Sequence, residues 1–211
     1  MSHQKLTVMK ILYSELVCFL ALSVITVFFS NSINAQQPTN EEKLLTALLG
    51  SNHNRALSIV QQEIDVNYYS EDSMSLLMYA SNMGYKDICV ILIDKGADVD
   101  FQGKGDWTAL MIASSKGHKD MVTLLMEKGA KVNILNKEGV SALILALLSD
   151  NPEIAKILIE NGADADIQTI NGTTSLMLAT SLGYADIVKL LEKILKSKFG
   201  IEDIDCLLLF S

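Results

Sequence analysis

The sequence predicts an all-α fold in which about five short helix-turn-helix units stack into a repeat solenoid, preceded by an N-terminal signal or anchor helix. The prediction depends on residues that return at a step of 33. They are Ala80, Ala113, Ala146 and Ala179, then Leu77, Leu110, Leu143 and Leu176, and then Gly96, Gly129 and Gly162. A fixed period of this length is typical of stacked supersecondary units and not of one closed core.

The composition limits what such an array can do. The chain has 211 residues, enough for one domain with a real core, and carries a net charge of −8. Because nucleic-acid binding requires a basic surface that releases counterions, this acidity argues against a nucleic-acid partner. The cysteines, Cys18, Cys89 and Cys206, lack the close spacing of a disulfide framework or a metal site. We expect Cys89 to be a reduced core residue, because it lies among the apolar positions of a repeat helix.

The first 35 residues have the order of a secretory signal peptide. A basic flank precedes the uncharged apolar run 16–30, and Ala35 is a small residue before a polar stretch. We expect cleavage after Ala35 and export of the repeats to the periplasm or the cell exterior. The alternative is an uncleaved membrane anchor, since 11–29 is near spanning length although Glu15 interrupts it.

The rest of the chain divides by its period. Residues 36–39 form a linker, the repeat domain spans 40–199, and 200–211 is a tail that fits no repeat. The expected units are 40–69, 70–102, 103–135, 136–168 and 169–199. The first unit is degenerate, because Glu63 stands where the period calls for glycine. Terminal repeats are usually atypical, since one of their faces meets water.

Each unit has the same internal order. The first helix opens with a hydroxyl residue that can cap it, at Ser75, Thr108, Ser141 and Thr174. In the first unit, Asn40 is expected to cap a helix over 41–49. A turn follows at Gly84, Gly117, Asp150 and Gly183. The second helix begins with an acidic residue beside its positive end, at Asp87, Asp120, Glu153 and Asp186. It ends at a glycine that can take a left-handed conformation, at Gly96, Gly129 and Gly162.

The fifth unit is expected to end the array. Leu195 replaces the periodic glycine, so the second helix is predicted to continue through Lys198 and to stop near Gly200. The tail beyond it contains the apolar run 206–210, which either folds onto the last helix or stays loose.

These units resemble the ankyrin repeat over about residues 40–195. The family's Thr-Pro-Leu-His-x-Ala box is similar to 108–113 and to the runs that start at Ser75, Ser141 and Thr174. Its Gly-His turn is Gly117-His118, and its Gly-Ala-Asp-Val-Asn ending is similar to 96–100, 129–133 and 162–166. The box here never holds proline, and its histidine is replaced by Met78, Met111, Ile144 and Met177. Packing of these side chains must replace the hydrogen bonds of that histidine.

The resemblance implies that the chain binds another protein. In ankyrin repeats the turn tips and the outward side of the first helices line a concave groove for protein partners. The partner-binding residues expected here are Tyr69, Met74, Met83, Gln102, Lys104, Trp107, Lys116, Leu135, Lys137, Val140, Leu148 and Thr173. Trp107 is the expected centre, because exposed aromatic residues are enriched at interfaces. The alternative is that Trp107 only packs against the neighbouring turn.

The sequence offers no arrangement for catalysis, and we expect no cofactor or metal. The run 103–105 is too short for a phosphate loop, and no nucleophile motif is present. The resemblance implies a structural hydrogen bond for His118, and His53 is assigned to the matching turn of the first unit. Asp164 and Asp166 are expected to be a solvated surface pair. An enzyme with a site in the groove is the alternative from another class, and it would require convergent ionisable groups.

The sequence and the resemblance together predict a monomeric, non-enzymatic scaffold that binds a partner protein after export. A membrane is expected to contact the chain only through the N-terminal segment, if that segment is not cleaved. A membrane-tethered scaffold and an inhibitor or immunity-type protein remain open as alternatives.

Overall fold

The structure, a computed structural model, describes residues 37–200. The expected signal or anchor segment and the apolar run of the tail lie outside these residues. Within the described part the chain is all helical, with ten α-helices, one 3₁₀ turn and no extended strand. The predicted all-α repeat fold is confirmed for this part of the chain.

The ten helices of the described part form five hairpins. The first helices are α1 (Asn40–Leu49), α3 (Leu76–Met83), α5 (Ala109–Lys116), α7 (Ala142–Leu148) and α9 (Ser175–Ser181). The second helices are α2 (His53–Val60), α4 (Lys86–Asp94), α6 (Lys119–Glu127), α8 (Pro152–Glu160) and α10 (Ala185–Phe199). The 3₁₀ turn, Lys104–Asp106, lies between α4 and α5. The start of α1 differs from expectation, since Asn40 is its first residue and not its cap. The second helices of units two to five begin one residue before the expected acidic residue, at Lys86, Lys119, Pro152 and Ala185.

The hairpins stack in sequence order and produce two rows of helices. Each first helix packs on the next first helix, each second helix on the next second helix, and the two helices of a hairpin on each other. A single hairpin buries only part of its apolar surface, so it depends on its neighbours for the rest. The core is continuous along the array. Its periodic leucines are 4% exposed or less: Leu44, Leu77, Leu110, Leu143 and Leu176.

Side-chain caps begin four of the first helices, as the sequence predicts. The hydroxyl oxygens of Ser75, Thr108, Ser141 and Thr174 accept hydrogen bonds of 3.1–3.4 Å from main-chain amides three residues later. The donors are the residues that replace the family histidine. Met78, Met111 and Ile144 are each 1% exposed, so packing replaces that histidine in the central hairpins. Met177, in the last hairpin, is only half-buried.

The turn inside each hairpin is left-handed. The backbone angle φ is positive at one position in every period: Ser51, Gly84, Gly117, Asp150 and Gly183. Gly84 also has no room for a side chain, because a Cβ there would lie 3.0–3.2 Å from the imidazole ring of His118. That ring reaches back to the previous hairpin, where its Nε2 lies 3.1 Å from the carbonyl oxygen of Asn82. The predicted structural hydrogen bond of His118 is confirmed.

His53 does not occupy the position that was assigned to it. Asn52 precedes α2 as His118 precedes α6, and the Asn52 side chain caps α2 by accepting an amide hydrogen bond of 3.1 Å. His53 is the first residue of α2, with its Nε2 2.9 Å from Oδ1 of Asp87. Its ring meets Tyr85 edge-on at a centroid distance of 4.7 Å. The assignment was one residue out of register, because it followed the residue type and not the period.

Amide and carboxylate side chains tie the loop at the end of each unit to the next unit. They recur once in each period: Asn67, Asp100, Asn133 and Asp166. The first three accept hydrogen bonds of 2.8–3.0 Å from the main-chain amides of Asp98, Lys131 and Asp164. The two asparagines also donate from Nδ2 to glycine carbonyls of the next unit. These bonds fix the register between neighbouring units.

Helix α10 is longer than the other second helices and ends the described array. It runs through Lys198 to Phe199 and is terminated by Gly200 at a φ of 65°, as predicted. The Nζ of Lys198 lies 2.8 Å from Oδ1 of Asp164 and 2.8 Å from Oδ1 of Asp166. The two carboxylates lie at the surface as expected, with side chains 38% and 33% exposed, and both also form an ion pair with this lysine. The added turns of α10 bring a cation back over the loop that holds both groups.

Candidate protein-binding surface

A short turn, called a tip below, precedes each first helix from the second unit onward. In each tip the amide of the first residue donates to the carbonyl four residues later, at 2.9–3.1 Å. The pairs are Ser70 and Met74, Gly103 and Trp107, Asn136 and Val140, and Thr169 and Thr173. The fourth residue has a positive φ in every tip: 56° at Ser73, 63° at Asp106, 71° at Gly139 and 76° at Gly172. The turn therefore places its fifth residue directly before the helix cap in each unit.

Main-chain hydrogen bonds hold the tips of the third, fourth and fifth units side by side. The amide of Lys137 donates to the carbonyl of Gly105 at 3.0 Å, and the amide of Ile170 donates to that of Glu138 at 3.1 Å. The two bonds are one repeat apart. The tips, the residue before each tip and the exposed side of the first helices form one surface, which we call the tip face.

A groove of about 370 Å³ lies on the tip face between the second and third units. We call it the Trp107 groove, and its walls include Met74, Met78, Lys104, Trp107, Ile112 and Lys116. Its floor is apolar, because Met78 is 1% exposed and Ile112 is 7% exposed. Trp107 is half-buried and packs against the core, and the rest of its side chain lines the groove. The packing described by the alternative interpretation is therefore present, and it leaves part of Trp107 available for contact.

A second groove, of about 490 Å³, lies between the fourth and fifth units. We call it the Ile170 groove, and its walls include Val140, Ile144, Leu148, Ile170, Thr173 and Leu178. It is built at the same place as the Trp107 groove, two repeats later. Val140 and Ile144 hold the positions of Met74 and Met78, and Ile170 holds that of Lys104.

The predicted partner-binding residues divide among the two grooves and the surface around them. Four line the Trp107 groove: Met74, Lys104, Trp107 and Lys116. Three line the Ile170 groove: Val140, Leu148 and Thr173. The other five line neither groove: Tyr69, Met83, Gln102, Leu135 and Lys137. Val140 is 7% exposed and belongs to the floor of its groove, and the buried Asn136 side chain accepts its amide hydrogen. Partner binding by these residues stays a prediction.

Two residues that were not selected from the sequence also shape the tip face. Ile170 is 72% exposed, the largest value among the bulky apolar residues of the described part. It stands one period after Lys137, so the spacing that selects Lys137 also selects Ile170. Phe101 stacks on the exposed ring of Tyr69, with ring centroids 6.0 Å apart. The period does not predict that stack, because Phe101 does not hold the position in its unit that Tyr69 holds in the unit before.

The two grooves differ in charge. Lys104 and Lys116 are exposed at the Trp107 groove, and neither forms an ion pair within residues 37–200. Lys128, beside the end of α6, is by contrast paired with Asp94 at 2.6 Å. The only charged side chain that lines the Ile170 groove is Glu138. A basic groove and a weakly acidic groove therefore share one surface.

The linings of the two grooves bear on catalysis. Neither groove is lined by a histidine or a cysteine. Burial raises the pKa of the Cys89 thiol to about 12, and the hydroxyl of Ser81 lies 3.8 Å from its sulfur. Residues 37–200 hold no cluster of three or more His, Cys, Asp or Glu side chains suited to a metal ion. No helix in that range combines the length and apolarity needed to cross a membrane.

A comparison with family models agrees with this architecture. A model described as ankyrin repeats (3 copies) matches residues 37–136, 77–169 and 132–203. The chain belongs to the ankyrin repeat family. The matches to ankyrin repeats include all five hairpins, the tips and both grooves. No curated protein matches the sequence at a significant level.

Ankyrin repeats generally mediate binding to other proteins and are typically non-enzymatic interaction modules. Membership of the family therefore supports an interaction scaffold. The tip face of this ankyrin array carries both grooves and is therefore the surface considered for such an interaction.

Proposed function

We propose that this ankyrin repeat protein is a non-enzymatic scaffold that binds a partner protein through its tip face. The observation that carries the proposal is the distribution of exposed apolar side chains. Among residues 37–200 the large ones are Leu49, Tyr69, Leu135, Leu148, Ile170, Leu182 and Phe199. All except Phe199 lie in a tip, just before a tip, or at the end of a first helix. Apolar side chains gathered on one surface with a polar rim mark an interaction site.

The proposal includes the cellular setting that the sequence predicts. The scaffold is exported, is released from its N-terminal segment, and acts as a monomer in the periplasm or outside the cell. Its partner is a protein and not a nucleic acid, because the net charge of −8 opposes a phosphate backbone. Light scattering during size-exclusion chromatography tests the monomer, and a dimer mass would contradict it.

Truncation of Trp107 tests the binding surface. We expect Trp107→Ala to weaken capture of the partner by at least about tenfold, because buried aromatic anchors dominate interface energies. The measurement is a pull-down from the envelope or secreted fraction of the source cells, followed by titration of the captured protein. Unchanged affinity in the folded variant would remove Trp107 from the site.

The matched control is Tyr85→Ala. Tyr85 is also a half-buried aromatic packed on the core, but it lies in the turn before α4, at the opposite end of a hairpin from the tips. Its loss costs comparable packing without changing the tip face, so partner capture should persist. A loss of capture in both variants would indicate general destabilisation and would count against the tip face.

The setting has its own test. Amino-terminal sequencing of the mature protein should begin at Gln36, directly after the expected cleavage site. A mature protein that retains residues 1–35 in the membrane fraction would replace the exported scaffold with the membrane-tethered form.

A further inference from the structure

The Trp107 groove and the Ile170 groove are separate sites at a fixed distance. Neighbouring packed helices lie about 8–10 Å apart, so positions two repeats apart are about 16–20 Å apart. Between the grooves, α5 and α7 are bridged where the side-chain oxygens of Ser115 on α5 and Ser149 after α7 lie 3.2 Å apart. A partner that uses both grooves must therefore offer two projections and not one continuous ridge.

What enters each groove is a side chain and not a secondary-structure element. Each groove lies between two adjacent first helices, and an α-helix with its side chains is about 10–12 Å wide, too wide for that gap. An extended chain rises about 3.3 Å per residue and spans 16–20 Å with five or six residues. A helix needs about twice that number of residues, and each ordered residue adds conformational entropy cost. An extended segment is therefore the more economical occupant.

The charges at the two grooves indicate which groups of the partner lie beside the side chain that enters the Trp107 groove. Lys104 and Lys116 lie at the Trp107 groove, are exposed, and have no anionic partner within the described residues. The Ile170 groove has no cation among its lining residues and carries Glu138. Complementary charge would thus place carboxylates of the partner only beside the side chain that enters the Trp107 groove.

We propose that the partner's binding element is an extended segment with two bulky apolar anchors about five or six residues apart, and with Asp or Glu beside the anchor in the Trp107 groove. This inference rests on the proposed function. The second anchor enters the Ile170 groove and has no acidic neighbour. The acidic side chains contact Lys104 and Lys116, which fixes the direction of the segment along the array.

The experiment uses the full chain and a displayed library of random peptides of about twelve residues, long enough to cover both grooves. The expected selection has an acidic residue within two positions of one bulky apolar residue, and a second bulky apolar residue five or six positions away. Trp107 is the only tryptophan in the sequence, so its fluorescence reports occupation of its groove when a selected peptide is titrated. Selected peptides without carboxylates, without the second anchor or without a Trp107 response would overturn the inference, as would the absence of any selection.

Charge reversal supplies a second, independent readout. In the double variant Lys104→Glu with Lys116→Glu, peptides chosen on the unaltered chain should bind about tenfold more weakly, and a new selection should contain Lys or Arg beside the first anchor. The matched control is Lys86→Glu with Lys189→Glu, which changes the net charge equally on the second helices. An unchanged selection on the tip-face variant, or the same change on the control, would overturn the inference.

Two results separate this inference from the proposed function. If the partner protein is lost from the Trp107→Ala variant but the peptides show no carboxylate preference, the scaffold stands and the acidic two-anchor segment does not. If the folded Trp107→Ala variant keeps the partner with unchanged affinity, Trp107 is removed from the partner site, and the two-anchor segment that depends on its groove is refuted with it.

Discussion

Ser114 has a buried hydroxyl group without a hydrogen-bond partner, the single case among the side chains of residues 37–200. The corresponding hydroxyl one repeat earlier, on Ser81, lies 3.8 Å from the sulfur of Cys89. In the third unit Val122 holds the place of Cys89, so the sulfur that faces Ser81 has no counterpart for Ser114. A buried polar group without a partner costs about 1–3 kcal/mol.

We expect Ser114→Ala to raise the free energy of unfolding by about 1 kcal/mol, because it removes that hydroxyl and leaves little empty space. Urea denaturation followed by circular dichroism measures the change. Ser81→Ala is the control, and its free energy of unfolding should rise less, because this substitution also removes the contact of the hydroxyl with the sulfur of Cys89. A lower stability of Ser114→Ala would show that the hydroxyl has a partner.

Cys89 is predicted to be unreactive until the array opens. Its side chain is 0% exposed, and burial raises the pKa of the thiol to about 12, so almost no thiolate exists at neutral pH. In a variant with Cys18→Ser and Cys206→Ser, a thiol reagent should label Cys89 at the rate of unfolding. Labelling that is fast in buffer and insensitive to urea would contradict the burial.

At the scale of single residues the sequence predicts position better than exposure. Trp107 and Val140 hold the same place in the period, yet Trp107 is half-buried and Val140 is 7% exposed. The two tips also differ in their first residue: the buried amide of Asn136 binds the Val140 main chain, whereas Gly103 stands at that place in the third unit. His53 is a different case, because its residue type matches His118 whereas the period places Asn52 at that turn.

Among the elements, α10 depends on contacts of its last turns, which extend beyond the part of the helix that follows the period. Lys198 joins it to the loop of the fourth unit through Asp164 and Asp166. Hydrogen bonds with Asp166 and with Lys198 hold the pKa of Asp164 below its usual value of 3.8. Hydrogen bonds to Asp164 and Asp166 raise the pKa of Lys198 above its usual value of 10.5.

The stability added by this cluster has a defined pH window. The lowered pKa of Asp164 means that its contribution is present above pH 3.8 and is lost as pH falls through the folded-state value. The raised pKa of Lys198 means that its contribution is present below pH 10.5 and is lost as pH rises through the folded-state value. Salt reduces the stability added by this cluster, because the side chains of Asp164, Asp166 and Lys198 are all partly exposed.

We expect Lys198→Met to lower the thermal midpoint at pH 7 and to match the unaltered chain at acidic pH, where Asp164 is protonated. Thermal melts across the acidic range measure the convergence. Lys196→Met is the control, since Lys196 shares the last turn of α10 and its dipole but makes no ion pair within the described residues. If both variants lowered the thermal midpoint equally and at every pH, the loss in Lys198→Met could not be attributed to its ion pairs with the two carboxylates.

The sequence predicts the helices well and their mutual contacts less well. The caps at Ser75 and Thr108, and the continuation of α10 past Leu195, follow from local residue types. The ion pair of Lys198 with Asp164 joins residues 34 apart, one position beyond the period. Such a pairing requires the rotation between neighbouring hairpins, which the spacing of apolar residues does not specify.

The array formed by residues 37–200 is held together by contacts between neighbouring hairpins. Each helix packs on its hairpin partner and on the equivalent helices next to it, so contacts are local in sequence. An array of this kind has a stability that is the sum of unit terms and interface terms. Damage to a central unit therefore removes support from the units on both sides.

We expect Leu125→Ala to reduce the free energy of unfolding by about 2–5 kcal/mol, because Leu125 is 0% exposed in the central unit and its truncation leaves a cavity. The change should appear equally in the fluorescence of Trp107, in the same unit, and in the circular dichroism of all helices. Leu49→Ala is the control, since Leu49 is 63% exposed and its loss should be nearly neutral. Separate fluorescence and circular dichroism midpoints would mean that the third unit opens alone.

For the whole array, the period of the sequence predicts the all-helical stack, and the family model bears out the resemblance. The two grooves could not be predicted, because Met74 and Val140, or Lys104 and Ile170, occupy equivalent places with different sizes and charges. Whether such a place becomes a cavity depends on how the next tip packs over it.

The amide and carboxylate residues that join the units also encode the order of the units. Neutral Asn67 and Asn133 face the loops of Asp98 and Asp164, whereas Asp100 faces Lys131, with Nζ of that lysine 3.3 Å from its Oδ2. Exchange of the second and third copies would bring Asp100 against Asp164 and leave Lys131 opposite an uncharged amide. The copies are thus not interchangeable modules. A shuffled array would have weaker contacts between its units, although every hairpin kept its own sequence.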